Sequence, residues 1–293
     1  MDPVTTTVRP AAERRRELLP AMRGLLVAFS LLTAMAVVAL LVLSDRTAES
    51  FAWTILPPVT AAFLGAGYAA GFTLVVLSLR DPVWAHSRVP VLTILVFTVL
   101  TLAATLLHVD RFHFQDEFAA APFLARAAAW WWTGVYVVIP LAMAVVLVLQ
   151  ERAPGTDPPR RHPVPPVLRA ALGIESALLL AVGAAVSLVP STADPLWPWT
   201  LTPLTARVVG AWLIAFGVAT ALAALAGDLE RLRTAAVAYT VFGVLVLAVV
   251  LLHRDDVAWD RPVAWVFLAV TAAVALTGAE GWRRAPLPGR HRS

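Results

Sequence analysis

Residues 96–110 read VFTVLTLAATLLHVD, and residues 241–255 read VFGVLVLAVVLLHRD. Each is the end of a long apolar run, and each closes on His-x-Asp: His108 with Asp110, His253 with Asp255. The two copies lie 145 positions apart. The same offset lays PVTAAFLGA (58–66) on PLTARVVGA (203–211), with no gap needed between positions 58 and 110. Just upstream, Trp53-Thr54 meets Trp199-Thr200 after one residue of slippage. Further on, Arg126-x-x-Ala129-Trp130 matches Arg261-x-x-Ala264-Trp265. Matched Leu and Val carry little information in an apolar chain, but these polar and aromatic matches, in order, do. The chain therefore reads as a duplicated unit, and a duplication of this length decides the fold.

The unit itself follows from composition. Of 293 residues, 59% are hydrophobic and only 14% charged, with a mean hydropathy of +0.77. Soluble domains are about 25% charged. Roughly 20 continuous apolar residues suffice for one bilayer-crossing helix, whereas barrel strands alternate in segments of about ten. The expected fold is thus all-α and integral to the membrane. Eight transmembrane helices are expected near 24–43, 58–79, 90–107, 127–149, 167–189, 203–226, 234–252 and 262–279. They form two parallel-oriented four-helix repeats, 24–150 and 167–280. A Pro-rich linker, 151–166, joins them, an Arg-rich N-terminal segment (1–23) precedes them and a basic tail (281–293) follows. An even number of spans per repeat gives both the same orientation, related by an axis along the membrane normal. The first apolar run is read as a retained span, since a secretory signal has an apolar region of only about 7–15 residues.

There is no cysteine, which removes disulfides and thiolate chemistry, and no lysine, which removes Schiff-base chemistry and the lysine of a phosphate-binding loop. Of the 23 arginines, 17 fall on the side that holds both termini and six on the other. The positive-inside rule places both termini in the cytoplasm and the His-x-Asp motifs on the outer side. The high pI is read as orientation, with no nucleic-acid partner; the partner expected is the lipid bilayer. Nothing matches a nucleotide-binding loop, a metalloprotease helix or a hydrolase elbow, and no enzymatic activity is expected.

With the stretch WPWTLTPLTARVVGAW (197–212) and the Arg-, Ala- and Val-heavy, lysine-free composition in view, the chain resembles the uncharacterised multi-pass membrane proteins common in high-GC actinobacteria. The resemblance implies a bacterial cytoplasmic (plasma) membrane and carries no functional residues with it.

The candidate residues come from the polar breaks in this pattern. His108 and His253 end apolar runs where a helix C-terminus meets water, and a His there followed by a loop Asp is ordinary capping chemistry. In a second reading, His108, Asp110, Arg126, Arg207, His253, Asp255 and Arg261, with Trp130 and Trp265, line an outward-facing pocket for a lipid or small amphipathic ligand, the arginines pairing with an anionic group. In a third, the two histidines hold haem b or a divalent metal, with His113, Asp116, Glu117 and Asp256 as further ligands. No cofactor is otherwise expected. Arg207 stands where the first repeat has Ala62, and either snorkels outward or pairs with Asp194, Asp110 or Asp255. Glu175, about six residues into the fifth span, pairs with Arg23 or Arg169 or serves proton coupling in transport. Eight of the eleven tryptophans fall on the outer side and read as an interfacial belt. Gly67-x-x-x-Gly71 and the Gly210, Ala211, Ala215 group read as helix-packing seams.

Overall fold

A computed structural model describes residues 14–286, apart from the side chains of 192–194. Positions 1–13 of the Arg-rich segment, 287–293 of the basic tail and the Asp194 side chain lie outside the described residues. Within them the chain is helical, with no strands and three isolated β-bridges. Eight helices are long and apolar enough to cross a membrane. They are α1 (Pro20–Val37, continued by a π-helical turn Val38–Val42), α2 (Pro58–Arg80), α3 (Trp84–Leu107), α4 (Phe123–Glu151), α5 (Pro166–Leu188), α6 (Pro203–Ala226), α7 (Leu229–Leu252) and α8 (Pro262–Arg284).

The starts follow from local chemistry. Five helices open on proline, which costs nothing at the first position because that N–H has no partner inside the helix. Of the other three, α7 has an aspartate cap and α3 follows an aspartate turn. Asp81 accepts from the Val83 N–H at 3.0 Å and holds His86 at 2.7 Å, so α3 begins at Trp84 and runs through Pro90. The sequence expectation of a start at 90 took that proline for the boundary. Asp228 accepts from Glu230 and Arg231 at the head of α7, five residues before the expected start at 234.

Helices α2, α3, α6 and α7 form the centre, with 44–67% of their apolar stretches buried; α1, α4, α5 and α8 stand outside with 22–33%. α1 packs on α2 and α5 on α6, while α4 packs on α3 and α8 on α7. The centre is closed crosswise, α2 against α7 and α3 against α6. One close approach governs it. The Trp212 indole of α6 lies over Gly67 and Gly71 of α2; a Cβ on Gly67 would stand 2.8 Å from the ring. Trp212 also stacks on Phe97 of α3 at 3.8 Å and meets Tyr68 edge-on at 5.3 Å. The glycine pair is therefore a seat for an indole. Gly210 has a different neighbour: it faces Gly183 and Ser187 of α5.

Backbone bonds lace both ends. At the end bearing the 151–165 linker, Leu18 N–H donates to Pro82 and Trp84 N–H to Arg16, at 2.8 and 2.9 Å. In the other half, Val164 N–H donates to Gly227 and Leu229 N–H to His162, at 3.2 and 2.7 Å. At the opposite end, His113 N–H reaches Ala52 and Ala258 N–H reaches Pro198, both at 2.9 Å.

The Gly67 seat predicts a specific coupling. Gly67→Ala should destabilise the protein by about 1–3 kcal/mol through overpacking. The same substitution in a Trp212→Leu background should cost less, because the clashing ring is gone. Thermal denaturation of the four proteins in one detergent checks this.

Candidate functional site

The end of the bundle opposite the linker carries most of the polar residues singled out in the sequence. α3 ends at Leu107, and His108 leaves the helix at φ −133°. The Arg207 guanidinium, from the second turn of α6, donates to His108 Nε2 at 2.7 Å and lies 3.4 Å from the Pro203 carbonyl. An arginine can only donate, so Nε2 accepts and the imidazole is neutral with its proton on Nδ1. Burial, and then the neighbouring Arg207 charge, pushes the His108 pKa below its ordinary value. Among the described side chains Arg207 thus neither snorkels alone nor pairs with Asp110 or Asp255; its partner is the histidine.

Beside this pair lies a pocket of about 440 Å³. Trp53, Phe118 and Leu204 supply apolar wall; Thr54, His108, Asp110, Arg111 and Thr202 supply polar groups. Asp110 is drawn aside by Arg111 at 3.0 Å, both side chains being mostly exposed. The start of α6 forms one edge, where the Thr202 hydroxyl accepts from Thr205 N–H.

The matching junction of the other half is built differently. There α2 starts against the end of α7, and the Asp256 carboxylate accepts from the Val59 N–H at 3.2 Å, with His253 Nδ1 3.9 Å away. Position 256 corresponds to Arg111, position 59 to Leu204, and Arg207 to Ala62, all at the offset of 145. One helix start thus holds a carboxylate from its own chain; the other faces an open pocket walled by Arg111 and by His108, which Arg207 holds.

The remaining expected site residues are dispersed. His253 is not part of the pocket wall, and Asp255 is almost fully exposed beside Arg254. Arg126 is exposed, and Arg261 caps α8 half-buried. Trp130 stacks on Phe114 at 4.6 Å, and Trp265 leans on Trp259 at 5.5 Å; each is more than 60% exposed. His113 is buried and has both nitrogens engaged: Nδ1 donates to the Phe51 carbonyl at 2.7 Å and Nε2 accepts from Thr54 at 3.0 Å. Among the described residues no three His, Asp or Glu side chains gather as a metal-holding group.

The tryptophans divide. Trp53 and Trp132 close a buried triad with Phe51, centroids 4.9–5.2 Å apart; Trp197 and Trp199 close another with Phe267 at 5.1–5.4 Å. Those four are core, while Trp130, Trp131 and Trp265 face outward. Arg111, Thr54 and Thr202 went unnoticed in the sequence. For Arg111 a signal existed, its opposite charge to Asp256 at the matched position.

Glu175 lies near the middle of its helix. It is the tenth of 23 residues in α5, about 13.5 Å from the helix start at 1.5 Å per residue. The Thr277 hydroxyl of α8 donates to its Oε1 at 2.6 Å, so Thr277 stands where Arg23 or Arg169 was expected.

No protein-family model, curated protein or solved structure matches the chain.

Two outcomes follow from the histidines. Replacing Arg207 by Gln removes one of the charges that depress His108, so its imidazole titration, followed by proton NMR, should move up. Burial, against the Phe51 hydrogen bond, likewise holds the His113 pKa below its unfolded value. The unfolded chain then binds more protons as pH falls. Stability should be full above about pH 6.5 and decline on acidification below it. Denaturation midpoints of wild type and His113→Asn across that range test this; the variant should lose that part of the slope.

Proposed function

We propose that the chain is an integral protein of a bacterial cytoplasmic membrane, made of two tandem four-helix repeats with both termini inside. Its outer pocket binds the anionic head of a lipid or small amphipathic ligand. The repeat reading is supported by bonds that recur at shifted positions. Leu18 to Pro82, Trp84 to Arg16 and His113 to Ala52 reappear as Val164 to Gly227, Leu229 to His162 and Ala258 to Pro198. The two aromatic triads recur in the same way. A parallel repeat accounts for this correspondence with a single rotation axis.

The observation that carries the binding reading is the Asp256 carboxylate on the Val59 N–H. It occupies a helix start, where the partial positive charge of the helix end attracts an anion. At the equivalent place on α6 the chain supplies no carboxylate. Arg111 and the His108–Arg207 pair stand at a pocket of about 440 Å³ instead. An external anionic group would complete that junction as Asp256 completes the other. Arginine suits a carboxylate or phosphate because its donors form a planar fork. Trp53, Phe118 and Leu204 offer apolar surface for the first carbons behind the head group. No bond-making machinery accompanies the pocket, so the role proposed is binding and not catalysis. A secondary transporter is the second reading, favoured by a crevice of about 40 Å³ among the central helices beyond the Trp212–Phe97 stack.

The absence of native cysteine makes sidedness direct to measure. A cysteine at position 117 (Glu117→Cys) should react with an impermeant maleimide added to intact cells, and one at 160 (Arg160→Cys) only after lysis. Labelling in the reverse pattern would invert the topology.

Binding is tested with dodecyl phosphate, followed by tryptophan fluorescence, with dodecanol as the neutral control. Arg207→Gln should weaken dodecyl phosphate about tenfold, or roughly 1.4 kcal/mol, and leave dodecanol unchanged. Arg111→Asp, which copies the arrangement around Asp256, should abolish the preference for the anion. Equal binding of both probes to wild type would refute the reading.

A further inference from the structure

The centre of α5 holds a polar cluster far from the outer pocket. Glu175 is 7% exposed, and Tyr239 of α7, which faces it, is 5% exposed. Glu175 Oε1 receives the Thr277 hydroxyl. Glu175 Oε2 and the Tyr239 hydroxyl are both buried without a hydrogen-bond partner. An ionised carboxylate in such surroundings needs a cation or several donors. The groups that face it supply no cation, only the hydroxyls of Thr277 and Tyr239. α8 presents Thr277 and, one turn on, Glu280, which is held by Arg283 and Arg284. α7 presents Tyr239, and the α6 contact is the Gly217 carbonyl, which accepts from Ser176. On α5 itself, Arg169 lies six residues away, with its guanidinium beside Gly227.

The partners of Glu175 also line a crevice. Tyr239, Thr277 and Leu172, one turn before Glu175, belong to the wall of the cavity among the central helices, about 40 Å³ in volume. A water needs about 10–15 Å³ on that measure and two or more polar partners. Thr93 and Thr220 on the same wall add hydroxyls. The wall residues Leu74, Ala223 and Leu232 lie near the linker ends of α2, α6 and α7, so the crevice occupies that half of the bundle.

We propose that Glu175, with Thr277 and Tyr239, is a membrane-embedded site for one exchangeable proton, served from the linker side of the bundle. A proton from the solvent at the linker end, relayed by water in the crevice, converts the carboxylate to the neutral acid, and it leaves to that solvent by the same route. In the loaded state Thr277 donates to the carbonyl oxygen, and the acid O–H on Oε2 is given to the Tyr239 oxygen. Both unpartnered atoms are then satisfied by one proton. The site rests on the bilayer reading of the eight helices and is independent of the outer pocket.

Infrared spectroscopy of protein in liposomes tests this, on wild type, Glu175→Gln, Thr277→Val and Tyr239→Phe. Flotation of the liposomes with the protein checks the bilayer reading separately. The carbonyl stretch of a protonated carboxylic acid should be present in wild type at neutral pH, shift within mixing time in D2O, and vanish in Glu175→Gln. In Thr277→Val it should move to higher frequency, because its carbonyl loses a donor; Tyr239→Phe should also displace it. A wild-type spectrum without the band, a band that survives in Glu175→Gln, or one that does not respond to D2O would overturn the proposal. If Glu175→Gln does not insert, Thr277→Val decides: an unshifted band refutes the assignment.

Discussion

The seat of Trp212 over Gly67 and Gly71 is the contact on which the centre of the protein depends. Between helices in a bilayer there is little hydrophobic drive, since lipid tails are as apolar as leucine, and association relies on close packing. An indole set into a two-glycine gap gives that packing: it brings α6 onto α2 and carries the ring to Phe97 of α3 and Tyr68 of α2. Positions 67 and 212 correspond at the offset of 145, so this is a residue meeting its own counterpart. Two tryptophans would collide there and two glycines would leave a void. On the proposed repeat, the halves cannot be identical at their shared axis.

The same inequality extends to the junctions at the end of the bundle opposite the linker. Equivalent backbone bonds hold equivalent loops, but Asp256 faces one helix start while Arg111, His108 and Arg207 surround the other. On the proposed repeat, one copy of a junction is satisfied internally and the other is left to the proposed ligand. Buried backbone groups impose the scaffold on both copies, because an unpaired N–H or C=O in an apolar environment is costly. Side chains at the rim carry no such obligation, so chemistry is free to diverge there. On the proposed repeat the symmetry is broken again inside the bundle: at the offset of 145 Glu175 falls on Ser30, and its partners Thr277 and Tyr239 come from α8 and α7.

Legibility in the sequence was uneven, for physical reasons. Helix number came from apolar length, a property of one segment at a time. Helix starts were less legible, because Asp228 caps α7 and Asp81 forms the turn before α3 through bonds to residues just beyond them, and Pro90 is tolerated inside α3 once that turn sets its start. The tryptophans show the limit of depth as a guide. Trp53 and Trp130 are at similar depth, yet Trp53 is buried and Trp130 faces outward. What turns Trp53 inward is the loop after α3, whose His113 binds the Phe51 and Ala52 carbonyls across some sixty positions of chain.

By itself the sequence determined the helical class and the eight apolar segments, and it carries the matched motifs and uneven arginines on which the proposed repeat and orientation rest. All are local or periodic properties, read along the chain. Only the tertiary structure decided azimuth and partnership. It set which face of each helix is central, that Arg207 meets His108, that His108 and His253 have different surroundings, and that Glu175 is joined to Thr277. These contacts join residues about a hundred positions apart on different helices. They depend on how the helices rotate about their own axes, and that rotation is set by the packing of Trp212 and its neighbours.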